Sequence, residues 1–358
     1  NEAVSLNSGT GKVSIDGLVN SDSDYTSTSA AIVFHSNYVH TVSSASTLPD
    51  AISITGTGGA IGLSLNNLSL TATGTGGGIN IENKIASLDV STGISLSGNN
   101  EFLAESGDIK IVTNATSSNV TGDIEVVSGS SLLLGGTTAN PSSSDIYIEF
   151  NTNRLRNVDI ATNGTLTLSP SPTYANDGSV NGYKFGEIIT NYDLNLNQNG
   201  TVLSGFTIGR PDMTAGTVSL VSPLVVNGPV NLYAYELLNV RGNIDTSVAN
   251  GAITLAAPLK VAVGLNGKQI EVTSGSGDIT IRSYSPQFRF DTTQKVYGTT
   301  LSTTGVISII PAKDLGFNGF KVYGSVVNGD FVPDVPDSMI TQQGVSAGLT
   351  IANINDLS

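Results

Sequence analysis

Two histidines, His35 and His40, stand in the stretch FHSNYVH. Imidazoles are the usual choice for a metal pair or a general base near neutral pH. Five residues apart on one strand they face opposite sides, and no carboxylate cluster lies near them. Two structural side chains are the plainer reading. Asp22 and Asp24 in NSDSDY share a side, as in a Ca²⁺ loop, but the Gly and Glu that complete such a loop do not follow, which leaves a solvated turn. Asp108, Asp123 and Asp278 each follow a glycine, in GDIKI, GDIEV and GDITI, and are read as closing turns through side-chain to backbone hydrogen bonds. Tyrosines gather in the second half of the chain. Tyr183, Tyr233 and Tyr235 are the candidate glycan contacts, because an exposed phenol ring can stack on a sugar.

Hydrolysis of a polysaccharide needs two or three carboxylates in one cleft. The polygalacturonase-type series NTD, DD, GHG, RIK is absent. NTN at 151–153 is its only echo, with Asn153 in place of the carboxylate. A lyase needs an Arg or Lys base, and Arg154 and Arg156 in NTNRLRN are the nearest candidates; two apart on a strand, they read as outward side chains. There is no cysteine, hence no disulfide, thiol nucleophile or cysteine-based metal site. The glycine-rich loops lack GxxxxGK[ST] and lead into no helix, so they cradle no phosphate. The sequence therefore predicts no catalytic residue, no cofactor and no metal. A carbohydrate-active β-helix enzyme stays as the alternative, with a cleft formed around residues 169–183.

The net charge is −14, from 15 Lys+Arg against 29 Asp+Glu, and only 12% of residues are charged. That balance argues against nucleic acid, whose binding rests on cations neutralising phosphates. It argues equally against an anionic membrane surface. No apolar run approaches the roughly 18 residues of a membrane span, so no membrane insertion is expected. A mature protein or a fragment is expected from the absence of an initiator Met and signal peptide.

The elements that must position any site are short strands. The phrase Gly, any residue, apolar, any residue, apolar recurs as GKVSI from Gly11, GGINI from Gly77, GDIKI from Gly107 and GDIEV from Gly122. It returns as GTLTL from Gly164, GTVSL from Gly216, GPVNL from Gly228, GAITL from Gly251, GDITI from Gly277 and GVISI from Gly305. Alternation of period two puts the Ile, Val and Leu on one face of a strand. The leading glycine supplies a positive φ or a close approach to a neighbouring layer. Asn, Ser, Thr, Asp and Gly between the phrases are turn formers. No window has a sustained helical period.

The chain is thus predicted to be all-β. A sandwich of this size would split into domains with linkers, and none is visible; a parallel β-helix, or β-solenoid, fits better. At roughly 25 residues per coil and about 4.8 Å between strands, about 14 coils would make a rod on the order of 70 Å long. Residues 1–310 are assigned to the solenoid. Residues 311–358 are expected to form less regular C-terminal coils and are the candidate cap or inter-subunit contact region.

The stretch from Gly205 to Ala257, with GFTIG, VNGPVNLYA and VRGNIDTSVANGAITLAA, together with GSGDITI beyond it, resembles the β-solenoid passenger regions of filamentous-haemagglutinin-type adhesins. The resemblance implies an extracellular, bacterial cell-surface protein with a structural or adhesive role. The Asn-Pro-Asn motifs of that family's secretion domain are absent. The expected function is a rod, stalk or filament subunit. Its expected partners are further copies of itself, stacked end to end with Val13 and Ile15 meeting Leu349 and Ile351, and host or environmental glycans or proteins.

Overall fold

The computed structural model describes residues 2–19, 30–58, 61–85, 92–115, 124–136, 142–150, 153–174, 180–190, 194–196, 200–264, 270–283, 286–288, 299–310, 324–327, 330–333 and 349–351. The fold is a parallel β-solenoid, and its strands fall into two compact units. Unit 1 comprises Asn1–Glu187 and Asn191–Leu203; unit 2 comprises Ile188–Thr190 and Ser204–Ser358.

In unit 1 each coil of chain visits three faces in turn. The first face begins with Ser5–Asn7 and His40–Ser44 and ends with Leu194–Asn195. The second stacks Val13–Leu18, Ile52–Thr57, Ile79–Ile85, Ile109–Ala115, Ile146–Phe150 and Thr165–Pro170. The third runs from Ala30–Val33 through Ile61–Asn66 to Asn153–Arg154. Neighbouring strands on these faces are parallel and in register, so Val13, Ile52, Ile79, Ile109, Ile146 and Leu166 make one column. The column faces the lumen, where Ile52, Ile54, Ile79, Ile81, Ile109 and Ile111 are all buried. Each such side chain contributes about 2–3 kcal/mol of burial.

Unit 2 repeats the plan. One face stacks Gly205–Ile208, Val230–Tyr233, Ile253–Ala256, Ile279–Arg282, Ile307–Ile310 and Leu349–Ile351. A second carries Met213–Leu220, Leu237–Val240, Val261–Val263 and Pro286–Phe288, and a third Leu224–Val225, Ile244–Asp245, Ile270–Thr273 and Thr299–Ser302. The interval between columnar residues is uneven, 20 positions from Ile146 to Leu166 and 42 from Ile307 to Leu349, because extra residues enter at the corners.

Eight of the ten glycine phrases lie on the faces that carry these columns, four in unit 1 and four in unit 2; GDIEV and GTVSL fall on other faces. The leading glycine of those eight never has a positive φ. Its role is close approach. A methyl on Gly107 would strike the carbonyl oxygen of Gly77 in the preceding coil, and one on Gly251 would strike that of Gly228. The corner must be thin because one coil rests on the last. Positive φ falls at other corner residues, among them Asn67, Asn157 and Asn250.

Buried hydroxyls lock this corner. Thr162 Oγ1 donates to the Ser144 carbonyl (2.7 Å) and accepts from Gly164 N–H (2.9 Å). Thr303 Oγ1 does the same in unit 2, donating to Gly277 O (2.5 Å) and accepting from Gly305 N–H (2.9 Å). Asn67 ties three coils at another corner. Its Nδ2 donates to Ser36 O (2.9 Å) and its Oδ1 accepts from Asn99 N–H (3.0 Å).

The segment around 169–183, where the enzyme alternative places its cleft, contains strands. Thr165–Pro170 ends a parallel strand, and Pro172–Tyr174 pairs antiparallel with Val180–Thr190. Within 311–358, Gly324–Val327 and Asp330–Pro333 form a second antiparallel pair, and Leu349–Ile351 joins the parallel ladder beside Ile307–Ile310.

Candidate functional site

The turn-closing role expected of the aspartates is replaced by one between coils. Asp278 Oδ1 accepts from Val306 N–H (2.9 Å), 28 residues along. Asp145 Oδ1 likewise accepts from Thr165 N–H (2.7 Å). Asp108 stands one coil before Asp145, beside Ile109, which is in register with Ile146, so two carboxylates stack in successive coils. Burial first, and then the Asp145 charge, push the Asp108 pKa up, against the lowering effect of a backbone hydrogen bond from Asp145. Asp22, Asp24 and Asp123 lie outside the described residues.

The histidines do not share a strand. His35 is exposed in the turn after Ala30–Val33, while His40 opens the strand His40–Ser44 and is 2% exposed. Its Nδ1 accepts from Val4 N–H (3.1 Å) and its Nε2 lies 3.0 Å from the His35 carbonyl oxygen. The ring meets Phe34 and Tyr38 edge-on. No group of three or more His, Cys, Asp or Glu able to hold a metal occurs among the described residues.

Carboxylates on the outside of the second face of unit 1 are engaged by neighbours. Glu149 accepts from Tyr147 Oη–H (2.6 Å) and Ser171 Oγ–H (3.0 Å). Arg156 is exposed, in line with an outward side chain; the side chain of Arg154 lies outside the described ones.

Tyr183, Tyr233 and Tyr235 are all half-exposed. Tyr183 sits in the antiparallel pair of unit 1, opposite Pro172. Tyr233 belongs to unit 2, on the outward side of Val230–Tyr233, and its partner in the next coil is Ala256. Tyr235 lies past the corner, with its N–H on Gly216 O (3.1 Å). Sequence reasoning missed the column beside Tyr233: Thr207, Asn231, Thr254, Thr280 and Ser308 are in register on the outward side. The middle residue of GFTIG, VNLY, AITLA, DITIR and VISI is the signal that could have shown it.

The clearest surface feature is the edge of the first coil. Val13 and Ile15 occupy lumen positions, in register with the fully buried Ile52 and Ile54, yet both are half-exposed. Leu6, in register with buried Val42, is 41% exposed. Val13 and Val19 donate their N–H groups to the second coil (2.9 Å each). Alternate residues of a parallel strand bond to opposite neighbours, so the N–H and C=O groups of Ser14, Asp16 and Leu18 point to the open edge. The same argument applies to Ser5 and Asn7, and to Ala31 and Val33, from the bonds Thr41 N–H to Val4 O and Phe34 N–H to Ser64 O. Leu349–Ile351 is placed in backbone only: it pairs with Ile307–Ile310, and its side chains lie outside the described ones.

No protein-family model matches the chain, and neither a curated protein nor a solved structure is found that matches it.

Proposed function

We propose that this chain is a non-enzymatic structural and adhesive element of a bacterial cell exterior, related in kind to filamentous-haemagglutinin-type passengers, and that it works as a rod, stalk or filament subunit. The observation that carries the reading is the first-coil edge. There, lumen-type side chains and backbone groups without a partner among the described residues face outward together. Such an edge templates a further coil. The occupant proposed is a second copy, with Leu349–Ile351 of one copy laid on Val13–Leu18 of the next, so that Val13 and Ile15 continue the ladder with Leu349 and Ile351. A head-to-tail contact of this kind repeats without closing.

The outward surface of unit 2 is the proposed adhesive face. Tyr233 offers an aromatic plane beside the small Ala256, and Asn231, Thr254 and Thr280 offer amide and hydroxyl groups at strand spacing. Tyr235 and, in unit 1, Tyr183 are the further proposed glycan contacts.

Electron microscopy of the purified chain across a concentration series tests the assembly. Filaments that lengthen with concentration, and that the double substitution Val13→Asp with Ile15→Asp abolishes, are expected. Isolated particles at every concentration would sink end-to-end stacking and leave the stalk or adhesin reading to glycan-binding assays.

A further inference from the structure

We infer that the corner Ser8–Gly11 of the first coil is a socket for the corner of another coil, and that the end-to-end join proposed above, on which this rests, seats the last coil of a second copy against Thr10 and Gly11.

The same corner occurs inside unit 2. SGTGKVSI from Ser8 and SGSGDITI from Ser274 have their glycines and apolar residues at the same places. Both turns close alike. Gly11 N–H donates to Ser8 O and Gly277 N–H to Ser274 O (3.0 Å each), and each serine hydroxyl donates to the carbonyl of the same glycine. Gly9 and Gly275 share the left-handed backbone, with φ 57° and 63°. The side toward the following coil matches bond for bond. Gly9 O accepts from Ala45 N–H and Gly275 O from Thr304 N–H (2.6 Å each). Ser8 N–H donates to Ser43 O (3.2 Å) and Ser274 N–H to Ser302 O (3.0 Å). Gly11 O accepts from Ser44 Oγ–H (2.7 Å) and Gly277 O from Thr303 Oγ1–H (2.5 Å). The residue after the glycine differs: Lys12 pairs with Asp50 of the following coil, whereas Asp278 accepts from Val306 N–H.

The two corners part on the side toward the preceding coil. Ser276 N–H donates to Asn250 Oδ1 (2.9 Å), and a methyl on Gly277 would strike the carbonyls of Asn250 and Gly251. Thr10 N–H, the counterpart of Ser276 N–H, has no partner among the described residues. A methyl on Gly11 would meet only Ser8 of its own turn, no closer than 3.3 Å. Gly11 also has no left-handed φ. Neither torsion nor packing within the described chain calls for glycine at this position. In the other seven columnar phrases the glycine lies against a carbonyl oxygen of the preceding coil. Terminal coils that act as caps depart from the repeat. The first coil keeps it, down to the glycine that only a preceding coil requires.

The twin corner also says what fits. The occupant brings a carbonyl to Gly11 and an acceptor to Thr10 N–H, as Asn250 does for Gly277 and Ser276. An extended strand added along the edge could pair with Val13–Leu18, but it turns no corner and would leave the socket empty. A coil of the same grammar fills both. Leu349–Ile351 is a strand of that kind: it continues the columnar face of unit 2 in register with Ile307–Ile310, and no further strand follows it there among the described residues. A second copy is therefore the occupant, joined as a parallel coil.

The test compares the whole chain dispersed and in filaments by backbone hydrogen exchange. The Thr10 amide should exchange freely in the dispersed chain and slow about tenfold or more in filaments, as for the gain of one hydrogen bond. The Ser276 amide should be protected in both. Gly11→Ala has room in the single chain, so its denaturant midpoint should equal that of the unmodified chain. The protein concentration at which it forms filaments should rise about tenfold or more, through overpacking at the join. Gly277→Ala, the same change at the twin corner, should lower the midpoint. A Thr10 amide that exchanges as fast in filaments as in the dispersed chain overturns the socket. So does a Gly11→Ala chain that forms filaments at the unmodified concentration. Either result leaves end-to-end stacking through the strands in place. Absence of filaments from the unmodified chain sinks both. Should Gly11→Ala fail to fold, Thr10 exchange in the unmodified chain decides alone.

Discussion

At the scale of single residues, the same amino acid does different work at different corners. Gly129 has φ 83° and open space around a would-be Cβ, so it answers a backbone demand. Gly251 has an ordinary φ and the Gly228 carbonyl against it, so it answers a packing demand. Gly251→Ala should destabilise unit 2 by about 1–3 kcal/mol through overpacking, and Gly129→Ala by about 1–2 kcal/mol through the left-handed backbone alone. Denaturant midpoints check both, and a silent Gly251→Ala would remove close approach as the reason for the phrase. Asp108 makes a pH prediction. Its folded pKa is raised, chiefly by burial and then by Asp145. The unfolded chain holds it at the ordinary, lower value, so the folded state binds the extra proton between the two. Stability therefore falls as pH rises through that window, and the penalty is complete above it. Asp108→Asn keeps an oxygen for the Asp145 N–H without the charge. Its Tm should exceed that of the unmodified chain at neutral pH, and the gap should close as the pH drops into the ordinary carboxylate range; calorimetry at several pH values decides.

At the scale of elements, the unit of construction is the corner as much as the strand. A three- to six-residue strand with no helix beside it gains its place from the coils above and below. Thr162 and Thr303 show how the join is made: one buried hydroxyl accepts from its own coil's glycine N–H and donates to the preceding coil's carbonyl. Thr303→Val is close in shape and leaves the Gly305 N–H unpaired in a site 2% exposed, while Gly277 O keeps the Ser274 hydroxyl. A loss of about 1–3 kcal/mol is expected. Hydrogen exchange should place it at Gly305 and its neighbours; a loss spread evenly over the chain would speak against a local lock. Among the described residues, Asn83 is an exception to this economy of hydrogen bonds. It is fully buried with both side-chain polar atoms unpaired, wedged against Gly62.

At the scale of the whole molecule, a net charge of −14 would oppose the proposed contact between copies. On that proposal copies would repel at a distance, while apolar and backbone groups would attract on contact. Salt screens the first and spares the second, so the filaments sought by microscopy should form at lower protein concentration in about 0.5 M salt than in about 0.05 M. A shift the other way would mean that ion pairs, not coil stacking, hold copies together. The strand class was legible in the sequence because side-chain period is local: Ile279, Thr280 and Ile281 declare two faces without reference to anything distant. The parallel stacking was legible too, because each phrase repeats the last. What the string left open depends on residues far apart in it. Which phrases share a face, that the leading glycine of the columnar phrases serves contact and not torsion, that Asp278 binds the next coil and not its own turn, and that His40 meets Val4 all follow from register between coils. Register is set by the uneven lengths of the corners, from 20 to 42 positions in the column. Local pattern cannot count those lengths; only the stacked backbone does.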